Sequence, residues 1–205
     1  MTIAWWADLL IVRHRKRFVV ALALVFLLAG GGSGGQDSST PLRLPDLNDR
    51  QVEPLRAGSA KAVVFIFTRT DCPISNRYAP EVKRLHEKFA ASGVAFWLVY
   101  ADAGESVAAI RRHLKAYGFD FAVLRDLHHE LVKLTGVRVT PEAAVFVSGR
   151  MVYRGRIDDR YVTFGRARPK PTTHDLEDAL AAILAGKAVA QATTTAIGCF
   201  IPELQ

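Results

Sequence analysis

The 205 residues are 50% apolar and 23% charged, which excludes a disordered chain and leaves enough apolar material for one compact domain. The net charge of +7 is uneven: Arg13, Arg15, Lys16 and Arg17 form one basic cluster, and Arg166, Arg168 and Lys170 form a second. Neither is set among aromatics in a nucleic-acid module, so they read as a topogenic signal and a solvated loop, and no nucleic-acid partner is expected.

The first cluster leads directly into Phe18–Ala29, an unbroken apolar run, and then into the small residues Gly30–Gly35. A positive flank, a short apolar stretch and a small-residue exit are the layout of a secretory signal. The run is shorter than the roughly 20 residues that span a bilayer, yet tilting and snorkelling of Arg17 would let it serve as an uncleaved anchor. Either way the basic flank stays inside and everything after Gly35 is exported. Residues 1–35 are therefore read as signal or anchor plus linker, 36–186 as the domain, and 187–205 as a C-terminal tail.

Within the domain, the turn-rich stretch 41–59 has room for a short hairpin. Ala62–Thr68 and Val94–Tyr100 are short β-branched and aromatic runs, hence buried strands. Helices are expected over 76–91, through Val82, Leu85 and Phe89, and over 106–117, stopped by Gly118. A short strand at 121–124 and a short helix at 127–134 follow. Ala143–Val147 and Met151–Ile157 flank Ser148-Gly149-Arg150 as a hairpin, and a last helix runs from His174 to Leu184. Strands alternating with helices give an α/β fold with a mixed central sheet covered by helices on both faces.

The two cysteines, Cys72 and Cys199, have no further cysteine or histidine at ligand spacing, so no metal or cofactor is expected. Cys72 follows a buried strand and precedes a helix whose first turn accepts Pro73 without loss. Backbone N–H groups and the helix dipole favour a thiolate there, while Asp71 opposes it and Arg69 and Arg77 are placed to offset Asp71. Thr140-Pro141 opens a strand, where a proline is tolerated, and is expected to be cis and to face Cys72. Asp158 and Asp159, with Arg156 and Arg160, read as a surface ion-pair cluster. His86, His113 and His174 read as solvated or capping residues, and the adjacent His128 and His129 point to different helix faces.

The strand AVVFIFT followed by Cys72-Pro73-Ile74-Ser75, Pro80 in the next helix, and Gly136–Pro141 together resemble the thioredoxin superfamily. The long stretch between Cys72 and Pro141 resembles its redoxin branch. Asp71–Asn76, Gly155–Asp159 and Gly198-Cys199 are similar to a group of exported bacterial redoxin-domain proteins. The resemblance implies a thioredoxin-like three-layer fold with Cys72 as the working residue and Thr140-Pro141 packed against it. Three positions depart from the family pattern. Ser75 replaces the second cysteine of Cys-x-x-Cys, Ile66 replaces a buried aspartate, and Arg69 stands where peroxidases carry threonine.

Two functions follow. One is an envelope thiol-disulfide oxidoreductase or thiol peroxidase, with Cys72 attacking, Ser75 hydrogen-bonding the thiolate and Cys199 resolving; its partners are protein thiols or disulfides, or a small peroxide. The other is a non-enzymatic binding module holding Cu(I) through Cys72. Ser75 cannot resolve an oxidised Cys72, whereas residues 187–198 reach about 40 Å when extended, enough to bring Cys199 to the active-site end. A permanent Cys72–Cys199 staple and a cross-link between chains remain alternatives at this stage.

Overall fold

The computed structural model describes residues 41–56 and 58–204. The basic cluster at 13–17, the apolar run and the glycine-rich linker lie outside them. Among the described residues, no helix is long and apolar enough to cross a membrane.

The chain opens with a small hairpin, β1 (Leu44–Pro45) and β2 (Gln51–Val52). It then lays down β3 (Ala62–Thr68), α1 (Pro73–Ala90), β4 (Val94–Tyr100), α2 (Val107–Tyr117), β5 (Val123–Arg125) and α3 (Glu130–Thr135). The second half comprises β6 (Val139–Thr140), β7 (Glu142–Val147), β8 (Arg150–Gly155), β9 (Tyr161–Thr163), β10 (Arg166–Ala167), α4 (Asp175–Leu184) and β11 (Cys199–Phe200). Five strands form the central sheet in the order β5-β4-β3-β7-β8. β3, β4 and β5 are parallel, and the β7–β8 hairpin adds to β3 antiparallel. β3 lies at the centre, and all seven of its residues are buried, which is why it reads as a continuous apolar run.

Alternate residues of β3 serve opposite layers. Val64 and Ile66 pack with Leu98, Ala143 and Val145 against α1, α2 and α4. Val63, Phe65 and Phe67 pack with Val99, Ala144 and Phe146 against α3 and the first hairpin. α1 offers Ile74, Tyr78, Val82, Leu85 and Phe89 to the sheet, a stripe at helical spacing that runs past Pro80. α2 is capped by Ser106, whose Oγ accepts the Ala109 N–H at 3.2 Å, and is closed by Gly118 in the left-handed region.

Most boundaries shift from the sequence reading by one to three residues, as where α1 starts at Pro73 and β8 ends at Gly155, and two of the shifts have a visible cause. The strand expected at 121–124 begins at Val123, because Phe121 turns away to stack on His86 with ring centroids 4.4 Å apart. The helix expected from 127 begins at Glu130: His129 takes a left-handed conformation, and the Asp126 carboxylate accepts the Val132 N–H at 2.8 Å.

Residues 187–204, read as a C-terminal tail able to reach the active-site end, return along β8 to the sheet. Arg154 donates its N–H to Ala192 O at 2.9 Å, and Thr194 donates to Arg154 O at 3.0 Å. Thr194 is buried; its Oγ1 lies 2.9 Å from Tyr153 Oη and accepts the Arg156 N–H at 3.0 Å. Gly155 permits this seat. Its φ of +150° belongs to glycine, and an added Cβ would fall 2.1 Å from Thr194 Oγ1 and 2.5 Å from Thr194 O. Gly155→Ala should lower stability by roughly 1–3 kcal/mol and raise amide exchange at Thr194, measured by urea unfolding and hydrogen exchange. An unchanged exchange rate at Thr194 would refute this role for Gly155.

Candidate active site

Cys72 caps the N-terminus of α1. Its backbone is extended (φ −82°, ψ 109°), Pro73 enters the first turn, and its Sγ accepts the Ser75 N–H at 3.4 Å. The same sulfur lies 3.1 Å from the carbonyl oxygen of Thr140. Thr140-Pro141 is cis, and both residues are buried. Cys72 is joined in a disulfide to Cys199, 127 positions further along the chain, with Cα atoms 6.1 Å apart. Cys72 is 1% exposed, whereas Cys199 is half-buried.

Cys199 arrives by strand pairing. β11 lies antiparallel to β6, with Cys199 opposite Thr140 and Phe200 opposite Val139. Ile201 donates its N–H to Arg138 O at 3.0 Å. Gly198 makes the approach possible, since a Cβ there would fall 2.2 Å from Thr140 O and 2.6 Å from its carbonyl carbon. The motif Gly198-Cys199 thus sits flat on the backbone that precedes Pro141.

The charges around Cys72 are largely committed. Arg69 pairs with Asp71 at 3.1 Å and with Asp102 at 3.3 Å, and it donates to Phe200 O at 3.2 Å. Asp71 is thereby offset by Arg69, as its position suggested. At the sulfur itself, the Ser75 N–H and the helix dipole stabilise negative charge, and the Thr140 carbonyl opposes it. The hydroxyls of Ser75 and Thr140 are buried without a hydrogen-bond partner among the described residues.

Sequence reasoning missed a polar chain beneath this loop. Glu105 Oε1 accepts the Thr70 N–H at 2.6 Å, and Asn76 Nδ2 donates to Thr70 O at 3.1 Å. Asn76 Oδ1 lies 2.7 Å from His113 Nε2, and His113 Nδ1 lies 2.7 Å from Tyr100 Oη. An amide oxygen only accepts, so Nε2 carries the proton and the Tyr100 hydroxyl donates to Nδ1. His113, expected to be solvated or capping, is in fact 5% exposed and holds the loop through Asn76. Burial pushes the Glu105 carboxyl up and the His113 imidazole down. The available signal was Asn76 itself, one helical turn beyond Cys72, where its side chain points back at the loop.

The ion-pair cluster expected on the surface is also corrected. Asp158 and Asp159 are buried at 4% and 6% exposure. Asp158 accepts the Tyr78 hydroxyl at 2.5 Å, and burial pushes its carboxyl up. Asp159 accepts N–H groups from Thr172 and Thr173 and pairs with Arg168 at 3.2 Å. Arg156 turns instead to Asp175 at 2.9 Å. Glu81, His174 and Glu177 come together on the surface, where Arg84 and Lys88 already partner the carboxylates.

Residues 37–155 match the family model described as the AhpC/TSA family. No curated protein matches the sequence. Among solved structures, a hypothetical protein from Sinorhizobium meliloti 1021 is 25% identical with a TM-score of 0.68, covering 78% of this chain and 89% of that one. An uncharacterized conserved protein from Geobacillus kaustophilus is 25% identical with a TM-score of 0.70, covering 80% and 89%. MTB dsbF, solved in mixed oxidized and reduced forms, is 17% identical with a TM-score of 0.52, covering 70% and 95%, and shares the fold.

The buried histidine has a measurable consequence. The unfolded chain takes up a proton at this ring near pH 6.5 while burial keeps the folded ring neutral, so stability should fall as pH drops below that value. His113→Gln should flatten this part of the curve, and Asn76→Ala should cost about 1–3 kcal/mol at neutral pH. Urea unfolding from about pH 5 to 8 checks both. A His113→Gln curve parallel to the parent's would remove His113 as the titrating group.

Proposed function

The chain belongs to the AhpC/TSA family, and on that premise we propose that it is an exported thiol-disulfide oxidoreductase whose working couple is Cys72 and Cys199. The observation that carries this reading is the disulfide between a cysteine at a helix N-terminus and one brought to it by Gly198 across 127 positions. Export rests on the basic flank and apolar run of the N-terminal segment.

In the cycle so proposed, the reduced Cys72 thiolate attacks one sulfur of a substrate disulfide and expels the other as a thiolate. Cys199 then attacks the Cys72 sulfur of the mixed disulfide, and the second substrate thiolate leaves. The substrate gains two electrons and the cysteine pair loses them. The Ser75 hydroxyl, buried without a partner, turns to donate to Cys72 when the disulfide opens. The sulfur rests against the carbonyl oxygen of Thr140, at the cis bond to Pro141.

A peroxide would enter the same cycle by giving a sulfenic acid at Cys72, from which Cys199 expels water. Exchange is favoured over this route because Arg69, the cation nearest in sequence before Cys72, is committed to Asp71, Asp102 and Phe200 O. Cu(I) binding requires Cys72 as a free thiolate, and its pairing with Cys199 favours exchange over that alternative as well.

The competing role for the disulfide is a permanent staple, worth about 5 kcal/mol for so long a loop in the chain-entropy model. Equilibration with glutathione buffers separates the two. A working couple should titrate above about −300 mV, and a Cys199→Ser variant should accumulate mixed disulfides on Cys72. A disulfide that stays intact in excess reduced glutathione, or cross-links only between chains, would sink the proposal.

A further inference from the structure

A cleft of about 880 Å³ opens beside Cys199, lined along one stretch by residues 193–199. Phe164, at the turn between β9 and β10, and Phe200, next to Cys199, both line it and are 71% and 78% exposed. Isolated exposed aromatics are ordinary; two on one cleft beside a disulfide are the composition of an interface anchor. The charge in the cleft is one-sided. Arg138 and Arg154 line it with a single carboxylate, Glu142. That carboxylate is turned inward: its Oε2 accepts the N–H groups of Arg138 at 3.0 Å and Val139 at 3.4 Å. Arg154 lies 3.9 Å from the other oxygen and is fixed by Gly136 O at 3.0 Å. The Arg138 guanidinium has no partner among the described residues, nor has that of Arg166, two residues beyond Phe164 on the same hairpin.

We propose that this cleft docks an acidic polypeptide, which seats an apolar side chain between Phe164 and Phe200, sets carboxylates against Arg138 and Arg166, and presents a pair of thiols to Cys199. The inference rests on the redox reading of the Cys72–Cys199 couple and adds the class of dithiol partner that returns the couple to its reduced form. While the disulfide is closed, Cys72 is buried and Cys199 lines the cleft, so the partner's first thiolate attacks Cys199 Sγ. A partner–Cys199 bond forms, the Cys72–Cys199 bond breaks, and the electron pair remains on Cys72 as a thiolate at the helix N-terminus. The partner's second thiolate then attacks its own sulfur in the mixed disulfide and releases Cys199. The partner leaves as a disulfide, and the protons of its two thiols pass through solvent to Cys72 and Cys199. Access favours attack at Cys199, and the helix N-terminus favours Cys72 as the leaving thiolate.

The test uses oxidised full-length protein and synthetic dithiol peptides of equal length, one acidic with a central aromatic and one basic with the same aromatic. Stopped-flow reduction at low salt should be at least about tenfold faster with the acidic peptide, and the advantage should shrink at high salt. The double variant Arg138→Glu, Arg166→Glu should reverse the preference, and Phe164→Ser should raise KM for the acidic peptide more than it lowers kcat. Reduction of the parent protein by uncharged 2-mercaptoethanol separates the two levels of the argument. If that thiol leaves the disulfide intact, the redox reading falls and this inference with it. If it reduces the protein but the two peptides react equally, the docking inference alone is overturned. It is also overturned if the peptides do not discriminate while phosphatidylglycerol vesicles bind the parent and not the double variant, which would make the surface a membrane face.

Discussion

The carbonyl group of Thr140 is the point on which the molecule turns. On one side it lies 3.1 Å from the sulfur of Cys72; on the other, Gly198 passes so close that no Cβ is tolerated. Around it meet the N-terminus of α1, the strand that opens at the cis Thr140-Pro141 bond, and the returning C-terminal segment. None of these parts is near another in sequence. The rest of the fold serves to bring them there: β3 carries the chain to Cys72 through the middle of the sheet, and β7 runs back beside β3 from Pro141.

Much of this was legible in the sequence where the signal is local. β3 and β4 declared themselves as short β-branched and aromatic runs because both lie in the interior of the sheet, and their predicted bounds are the observed ones. Gly118 and Ser148-Gly149 marked ends and turns because those backbone conformations need such residues. Cys72 stood out by its place between strand and helix. What was hidden depends on contacts distant in sequence. No local pattern says that Thr194 is buried against Tyr153, that His113 reaches Asn76, or that Asp158 receives the hydroxyl of Tyr78. A polar residue reads as solvated until its partner is known, and each of these partners lies tens of residues away.

The buried polar groups also distribute the roles within the site. The loop before Cys72 is held by the two backbone groups of Thr70, one bonded to Glu105 and the other to Asn76. The hydroxyls of Ser75 and Thr140, by contrast, have no hydrogen-bond partner among the described residues. Rigidity is thus supplied from below, through side chains far from the sulfur. The donors at the sulfur keep the freedom to answer a change in its charge.

The disulfide also divides the chain in a way the fold does not. Cys72 and Cys199 close residues 72–199 into a covalent ring, and β3, which ends at Thr68, lies outside it. Both strands that flank β3, β4 and β7, lie inside. The middle strand of the sheet is therefore a guest between two members of the ring, bound to them by hydrogen bonds and packing alone. Tension applied at the N-terminal end of the domain reaches Cys72 by way of β3 and loads that strand along its length. The ring can then lengthen no further than its own closure permits, so oxidation fixes a mechanical limit beyond which 128 of the residues cannot be unravelled by pulling on the chain's ends.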